Sequence, residues 1–304
     1  MYIGRFAPSP TGPLHFGSLI AAVASYCDAK ANHGKWLIRM EDLDQPRTIP
    51  GVADNILSTL QAFGFVWNDE IIYQSQRTAI YATALQTLKQ QNIIYPCACS
   101  RKEIADSAIT SGIEGLIYPK TCLLHPTKAS YTKIAYRIIV PDNTLSFTDQ
   151  IQGEITQNLA REIGDFIIKR ADEIFAYQFA VVVDDAEQGI THVIRGADLL
   201  NSTPRQIYLQ YLLQHATPHY AHFPIVVNAV GEKLSKQTLA KAIHPKEANK
   251  LIFDALNFLG QSPPTVIKNA TLDEVWHWAI SNWKIDRVPK NRISPLPVST
   301  LASQ

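Results

Sequence analysis

Apolar positions open the chain as a short run from Tyr2 to Ala7, followed by a Pro/Gly-rich stretch from Pro8 to Gly17 and a helical stretch through Ser18-Leu19-Ile20-Ala21-Ala22-Val23. That order predicts strand, loop and helix, half of a doubly wound α/β sheet. Trp36-Leu37-Ile38-Arg39-Met40 reads as a second, buried strand, while Val52 to Phe63 and Tyr81 to Gln91 space their apolar residues as helices do. Strands alternating with helices predict a mainly parallel sheet with ligands at its loop ends.

From Ile94 to about Ile134 the pattern dissolves into Pro, Cys, Gly and Ser, which marks an insertion with a staple of its own. Ala135 to Val140 and Ala180 to Val183 then read as strands, Asp184 to Gly189 as a turn, and Thr191 to Arg195 as the sheet resumed. Thr203-Pro204-Arg205-Gln206 has the layout of a capping box with proline at the first helical position, opening a helix through Ile207, Leu209, Leu212 and Leu213. Ala240 to Gly260 predicts a further helix, and the Pro/Ser-rich tail from Pro289 a loosely ordered end. The organisation expected is a catalytic domain over 1–239 interrupted at about 94–134, a small helical, stem-contact-like piece over 240–288, and a tail over 289–304.

With 46% hydrophobic residues among 304, the chain can bury a substantial core. Apolar runs such as Ala176 to Val183 fall far short of the roughly 20 residues of a membrane span, and no charged-then-apolar leader precedes Met1-Tyr2-Ile3, so a soluble, cytoplasmic protein is expected. A formal net charge of +1 gives no global basic signal; RNA would have to be held by local patches. Of four cysteines, Cys97, Cys99 and Cys122 fall in one short stretch, a pattern that suits a metal better than a disulfide framework, and Cys27 on the first helix suits the core.

The chemistry lies in Pro8-Ser9-Pro10-Thr11-Gly12-Pro13-Leu14-His15-Phe16-Gly17-Ser18 and the distant Lys233-Leu234-Ser235-Lys236-Gln237. The first sets a His, a Gly and a hydroxyl at a helix start, where backbone N–H groups and the helix dipole favour phosphate, and Gly17 lets a nucleotide approach the backbone. Alone, the first is also a proline-rich turn capped by Ser18 and the second a solvated loop. Together, in this order, they resemble the two ATP-binding signatures of class I aminoacyl-tRNA synthetases, which implies a Rossmann-type catalytic domain. The resemblance assigns His15, Phe16, Gly17, Ser18, Lys233, Leu234, Ser235 and Lys236 to ATP, carried with Mg²⁺. His15, Lys233 and Lys236 then stabilise the phosphates in catalysis.

Arg5-Phe6-Ala7-Pro8-Ser9 and Arg39-Met40-Glu41-Asp42-Leu43-Asp44-Gln45-Pro46-Arg47 narrow the resemblance to the glutamyl branch, over residues 1 to about 260. It implies L-glutamate as substrate, with Arg5, Ala7, Ser9, Glu41, Tyr177 and Arg195 around it. The residue types agree: arginine forks suit two carboxylates and Glu41 suits the ammonium. Cys97, Cys99 and Cys122 provide three thiolates for one tetrahedral Zn²⁺ per chain. Spacing favours His125 as fourth ligand, whereas the resemblance points to Tyr118.

A full glutamyl-tRNA synthetase continues into a large helical anticodon-binding region, and this sequence ends at Gln304. The shortened layout resembles the glutamyl-queuosine synthetases, which implies esterification of glutamate to queuosine in the anticodon of tRNA(Asp), with neither membrane nor DNA as partner. Lys233, Lys236, Lys241, Lys246 and Lys250 near the lysine loop, with Lys284, Arg287, Lys290 and Arg292 later, are candidate phosphate contacts. A minimal glutamyl-tRNA synthetase charging an acceptor end, a small-molecule nucleotidylyltransferase and a non-catalytic RNA-binding paralogue are the competing expectations.

Overall fold

The computed structural model describes residues 1–126, 133–228 and 241–296. The first unit is β1 (Ile3–Phe6), α1 (Phe16–Ala31), β2 (Lys35–Met40), α2 (Val52–Ala62) and β3 (Ile72–Tyr73). β1 and β2 pair in parallel, as do β2 and β3. The side chains of β1 and β2 are buried on both faces apart from their half-buried first residues, as the unbroken apolar runs predict. α1 buries Leu19, Ile20, Ala22, Val23 and Cys27 completely, because a helix so largely apolar has to be covered over most of its surface. After α2, Gly64 takes φ +76°, and a Cβ there would lie 2.9 Å from the indole nitrogen of Trp276.

The chain continues through α3 (Thr78–Gln90), β4 (Ile94–Cys97), α4 (Arg101–Ser107), the two-residue strands β5 (Ser111–Gly112) and β6 (Gly115–Leu116), and α5 (Thr121–Leu124). β7 (Ala135–Ile138) returns antiparallel to β4. A hairpin of β8 (Thr144–Asp149) and β9 (Gly153–Asn158) follows, then α6 (Leu159–Glu162) and β10 (Ile167–Lys169), which pairs antiparallel with β7.

The Ala180–Val183 run is helical rather than extended: it lies inside α7 (Tyr177–Glu187). A short, continuous apolar run carries no periodicity to separate a strand from a fully buried helix, and Phe179 to Asp185 are all buried against α3, α8 (Thr203–Leu212) and β10. The turn expected at Asp184 to Gly189 shrinks accordingly to its last two residues, with Gly189 at φ +62°. β11 (His192–Gly196) and β12 (His219–Phe223) pair in parallel, and Thr191 N donates to Ile3 O at 2.9 Å. β11 thus lies beside β1, and the parallel strands run in the order β3-β2-β1-β11-β12. Ligands in such sheets sit where the order reverses, beyond the ends of β1 and β11.

The capping box at Thr203 does not form. A 3₁₀ segment, Ala197–Ser202, runs directly into α8, so Ser202 is the cap in helical conformation and the Thr203 hydroxyl bonds Leu199 O instead. The helix expected from Ala240 starts later, as α9 (Ala248–Phe258), because Pro245 opens a 3₁₀ turn and Ala242 bridges to His15. α10 (Leu272–Asn282) follows with a true capping box at Thr271. Part of the expected loose tail is ordered: β13 (Ile225–Val227) pairs in parallel with β14 (Ile293–Pro295).

α9 and α10 cover α1, and one core joins them to the first sheet, with Tyr26, Trp36, Phe65 and Trp276 in edge and stacked contact. A second core gathers Tyr81, Leu85, Ile138, Ile168, Phe179 and Leu209 on the other side. No helix among the described residues is long and apolar enough to cross a membrane.

Candidate active site and metal centre

The Pro8–Gly17 loop leaves β1 and delivers His15 as the N-cap of α1, its Nδ1 accepting from Ser18 N at 3.3 Å. Gly17 and Ser18 follow in a first turn with no acidic residue, which leaves the positive end of the helix dipole uncompensated locally. Phe16, by contrast, is turned into the core. Ile243 N donates to Leu14 O at 3.0 Å, so the chain shortly beyond Lys236 lies against the His15 loop. Lys233, Leu234, Ser235 and Lys236 themselves lie outside the described residues.

The residues expected around the amino acid include members of a buried ion network. Arg5 of β1 donates from Nε at 3.1 Å and Nη2 at 3.3 Å to the two oxygens of Asp185. Arg39 of β2 donates to the same carboxylate at 2.8 Å and to Gln188 at 2.7 Å, with Glu41 at 3.5 Å. Asp184, wholly buried, accepts from Arg77 at 2.7 Å, Gln74 at 2.6 Å and the Tyr81 hydroxyl at 2.8 Å. Burial pushes the Glu41 carboxyl up to about 7 against the pull of Arg39 and Arg5. Tyr177, at the first turn of α7, is pushed up to about 12 by burial and by Glu41, while Arg195 and Arg5 oppose the shift. Arg5, Glu41 and Arg195 thus lie near enough to Tyr177 to act on it electrostatically. Ala7 is half-buried and Ser9 exposed on the loop leaving β1.

Arg195 on β11 is 5% exposed. Its Nε donates to His222 Nε2 at 2.9 Å and its Nη2 to the Thr203 hydroxyl at 2.8 Å, while its Nη1 is buried with no partner among the described residues. A buried guanidinium nitrogen left unpaired is costly unless a ligand completes it. An anion is the ligand that would do so.

Sequence reasoning missed Asp184, Asp185, Asp149 and His222. Two adjacent carboxylates ending an apolar run at Val183-Asp184-Asp185 were a signal available for the first pair, since charges there are buried only when matched.

In the lobe between β4 and β7, the sulfurs of Cys97, Cys99 and Cys122 all lie within 4.8 Å of one another. The Tyr118 hydroxyl is 3.4 Å from the sulfurs of Cys97 and Cys99 and accepts from Cys122 N at 2.9 Å. Four donors thus converge, with the Cys99 and Cys122 sulfurs 3.4 Å apart, against the ~3.8 Å that Zn–S bonds of about 2.3 Å give in a tetrahedron. Arg137 supports them, donating to Cys97 Sγ at 3.3 Å with its guanidinium carbon 3.8 Å above the Tyr118 ring. His125 is exposed at the end of α5.

The sequence matches the family of class I tRNA synthetases (E and Q), catalytic domain, over residues 3–266. The chain belongs to that family. Among similar class I synthetases are the glutamyl-Q tRNA(Asp) synthetase of Dechloromonas aromatica (strain RCB), 53% identical over 97% of this chain and 98% of that protein, and that of Neisseria meningitidis serogroup B (strain ATCC BAA-335 / MC58), 52% identical over 97% and 99%. A solved glutamate tRNA ligase from Elizabethkingia meningosepticum CCUG26117, in complex with its amino acid, superposes with a TM-score of 0.77 at 25% identity, over 97% of this chain and 67% of that one. As a class I synthetase, the chain brings the His15 loop and the buried ion network to the end of its parallel strands.

Proposed function

We propose that the protein activates L-glutamate with ATP and transfers it to queuosine in the anticodon of tRNA(Asp), acting in the cytoplasm. The observation that carries the amino-acid assignment is the buried Nη1 of Arg195, without a partner among the described residues, on a guanidinium close enough to Tyr177 to act on it electrostatically, as Glu41 does. It suits a substrate that brings carboxylate and ammonium together. The choice of acceptor rests on relatives about half identical over nearly the whole of both chains, which bear the glutamyl-Q tRNA(Asp) name.

In the first step a glutamate carboxylate oxygen attacks the α-phosphorus of ATP and pyrophosphate leaves; in the second, a nucleoside hydroxyl attacks the acyl carbon and AMP leaves. No protein nucleophile is needed, so the chain's task is positioning and charge compensation. Arg5, Ala7, Ser9, Glu41, Tyr177 and Arg195 are assigned to glutamate. His15, the first turn of α1 with Phe16, Gly17 and Ser18, and the Lys233–Lys236 segment are assigned to the phosphates. Mg²⁺ bound with ATP supplies further charge compensation there. Cys97, Cys99, Tyr118 and Cys122 would hold one Zn²⁺ as a cross-link of the lobe, with Tyr118 favoured over the exposed His125.

The deciding experiment incubates the protein with labelled glutamate, ATP and tRNA prepared with and without queuosine, and then locates the label. Label on the anticodon of queuosine-containing tRNA(Asp) alone is expected; label on the acceptor end of tRNA(Glu) would overturn the acceptor assignment. Lys236→Ala should lower the saturated rate of glutamate-dependent pyrophosphate exchange by about 10²–10³, with glutamate affinity changed little.

A further inference from the structure

The two pocket arginines are held in opposite ways. Arg5 meets both oxygens of Asp185, so a carboxylate already neutralises it. Arg195 pairs with no carboxylate among the described residues; its contacts are the imidazole of His222, the hydroxyl of Thr203 and the carbonyl of Leu199. All three are neutral acceptors. The nearest acid along that line, Asp149, stands behind His222, its Oδ2 2.6 Å from His222 Nδ1.

This arrangement fixes the proton. A guanidinium can only donate, so His222 Nε2 accepts from Arg195 Nε and the ring proton sits on Nδ1, donated to Asp149. His222 is fully buried and Asp149 is 1% exposed. Burial, the largest influence, and Arg195 hold the imidazole near a pKa of about 4 despite Asp149, so it stays neutral. Asp149 is itself oriented at the end of β8: its Oδ1 accepts from the backbone N of Ile151 at 3.0 Å, Gln152 at 2.9 Å and His222 at 3.1 Å.

We propose that Asp149 and His222 are positioning residues for amino-acid recognition: Asp149 sets the imidazole tautomer, and the imidazole anchors Arg195 without cancelling the charge that binds the substrate carboxylate. The inference rests on the reading of the pocket as a glutamate site. A carboxylate in place of His222 would hold Arg195 as firmly but compete with the substrate for it. A neutral acceptor aims the fork and leaves its charge available.

Asp149→Asn tests this with almost no change of shape. Three backbone N–H groups keep the amide oxygen on their side, so the NH₂ faces His222 Nδ1. The imidazole then has to accept there, its proton moves to Nε2, and donor opposes donor at Arg195, the wrong-tautomer effect. In glutamate-dependent pyrophosphate exchange, the half-saturating glutamate concentration should rise about 10- to 100-fold, while that for ATP shifts less than about twofold. With His222→Gln, whose amide oxygen can accept from Arg195 whichever group stands at 149, adding Asp149→Asn should cost less than about threefold. Equal effects in the two backgrounds would mean that Asp149 only folds its loop, and would overturn the proposal. Should Asp149→Asn fail to fold, His222→Gln against His222→Leu decides: Leu should weaken glutamate about tenfold more than Gln, and equal weakening refutes the anchor. An unaltered protein with no glutamate-dependent exchange overturns the functional reading and this inference together; normal exchange with the wrong variant pattern overturns only the inference.

Discussion

In the buried ion network the principal links run between main elements of the fold: Arg5 from β1 and Arg39 from β2 meet Asp185 of α7, and Asp184 of α7 meets Arg77 and Tyr81 at α3. In the cysteine lobe the links run between the end of β4, a bend at Tyr118 and the four-residue helix α5. The lobe's own core is a small cluster around Tyr95, Cys97, Tyr118 and Cys122, and Ile109, Ile113, Leu116 and Leu124 remain 99%, 46%, 47% and 68% exposed. The network thus lies between two cores, whereas the lobe has only its small one and is tied to the rest by scattered polar contacts such as Ile113 N to Glu162 O at 3.0 Å and Arg205 to Glu114 at 2.5 Å. Charges serve the first region and sulfurs the second, since matched ions suit a dry, fixed interior while a metal can staple a segment too small to bury itself.

The strongest way to break the comparison is Asp184→Ala, which takes from Arg77, Gln74 and Tyr81 the buried carboxylate to which all three donate. It should destabilise the whole protein by about 3–5 kcal/mol in urea unfolding; a loss below about 1 kcal/mol would show that the network is peripheral to stability. Cys97→Ser should act locally. Bound zinc, about one per chain in the unaltered protein, should be lost, and amide exchange should quicken over 101–126 while the sheet strands keep their protection. Equal loosening of both regions would mean that the lobe is part of the main cooperative unit.

The smallest effect concerns pH. Glu41 is held up to about 7 in the folded protein, above the ordinary carboxyl value near 4.3. Its contribution to stability is therefore fully present below about pH 4.3 and lost as pH rises through about 7. Binding runs the other way, because the substrate ammonium needs the ionised carboxylate. The glutamate concentration for half-maximal exchange should fall by up to about tenfold per pH unit on approaching 7 and level off above it. Glu41→Gln should flatten that dependence; an unchanged profile would place the titrating group elsewhere.

Much of this was legible beforehand because its patterns are unambiguous. The all-apolar face of α1, the run Trp36 to Met40 and the Cys97-Ala98-Cys99 pair each admit few readings. α7 was not legible, because Ala180 to Val183 is β-branched and short, and only its packing against α3 and α8 decides for helix. The capping box at Thr203 failed for a related reason: the preceding 3₁₀ turn already supplies the helix start, which frees the hydroxyl for Arg195. His222 was invisible because its meaning depends on Asp149, which contacts it from another hairpin.

The adjacency of β1 and β11 also sets an order of events during synthesis. Arg5 and Arg39 leave the ribosome about 150 residues ahead of Asp184 and Asp185, roughly 8–30 s at ordinary elongation rates. Until α7 is made, Arg5 and Arg39 lack the Asp185 carboxylate that both meet in the folded protein, so burying them is costly. Trp276, which completes the aromatic cluster over Tyr26 and Phe65, comes later still. The N-terminal strands are therefore first to be translated and among the last to be sealed, an interval in which the nascent chain exposes the apolar surface of α1 to whatever else is in the cell.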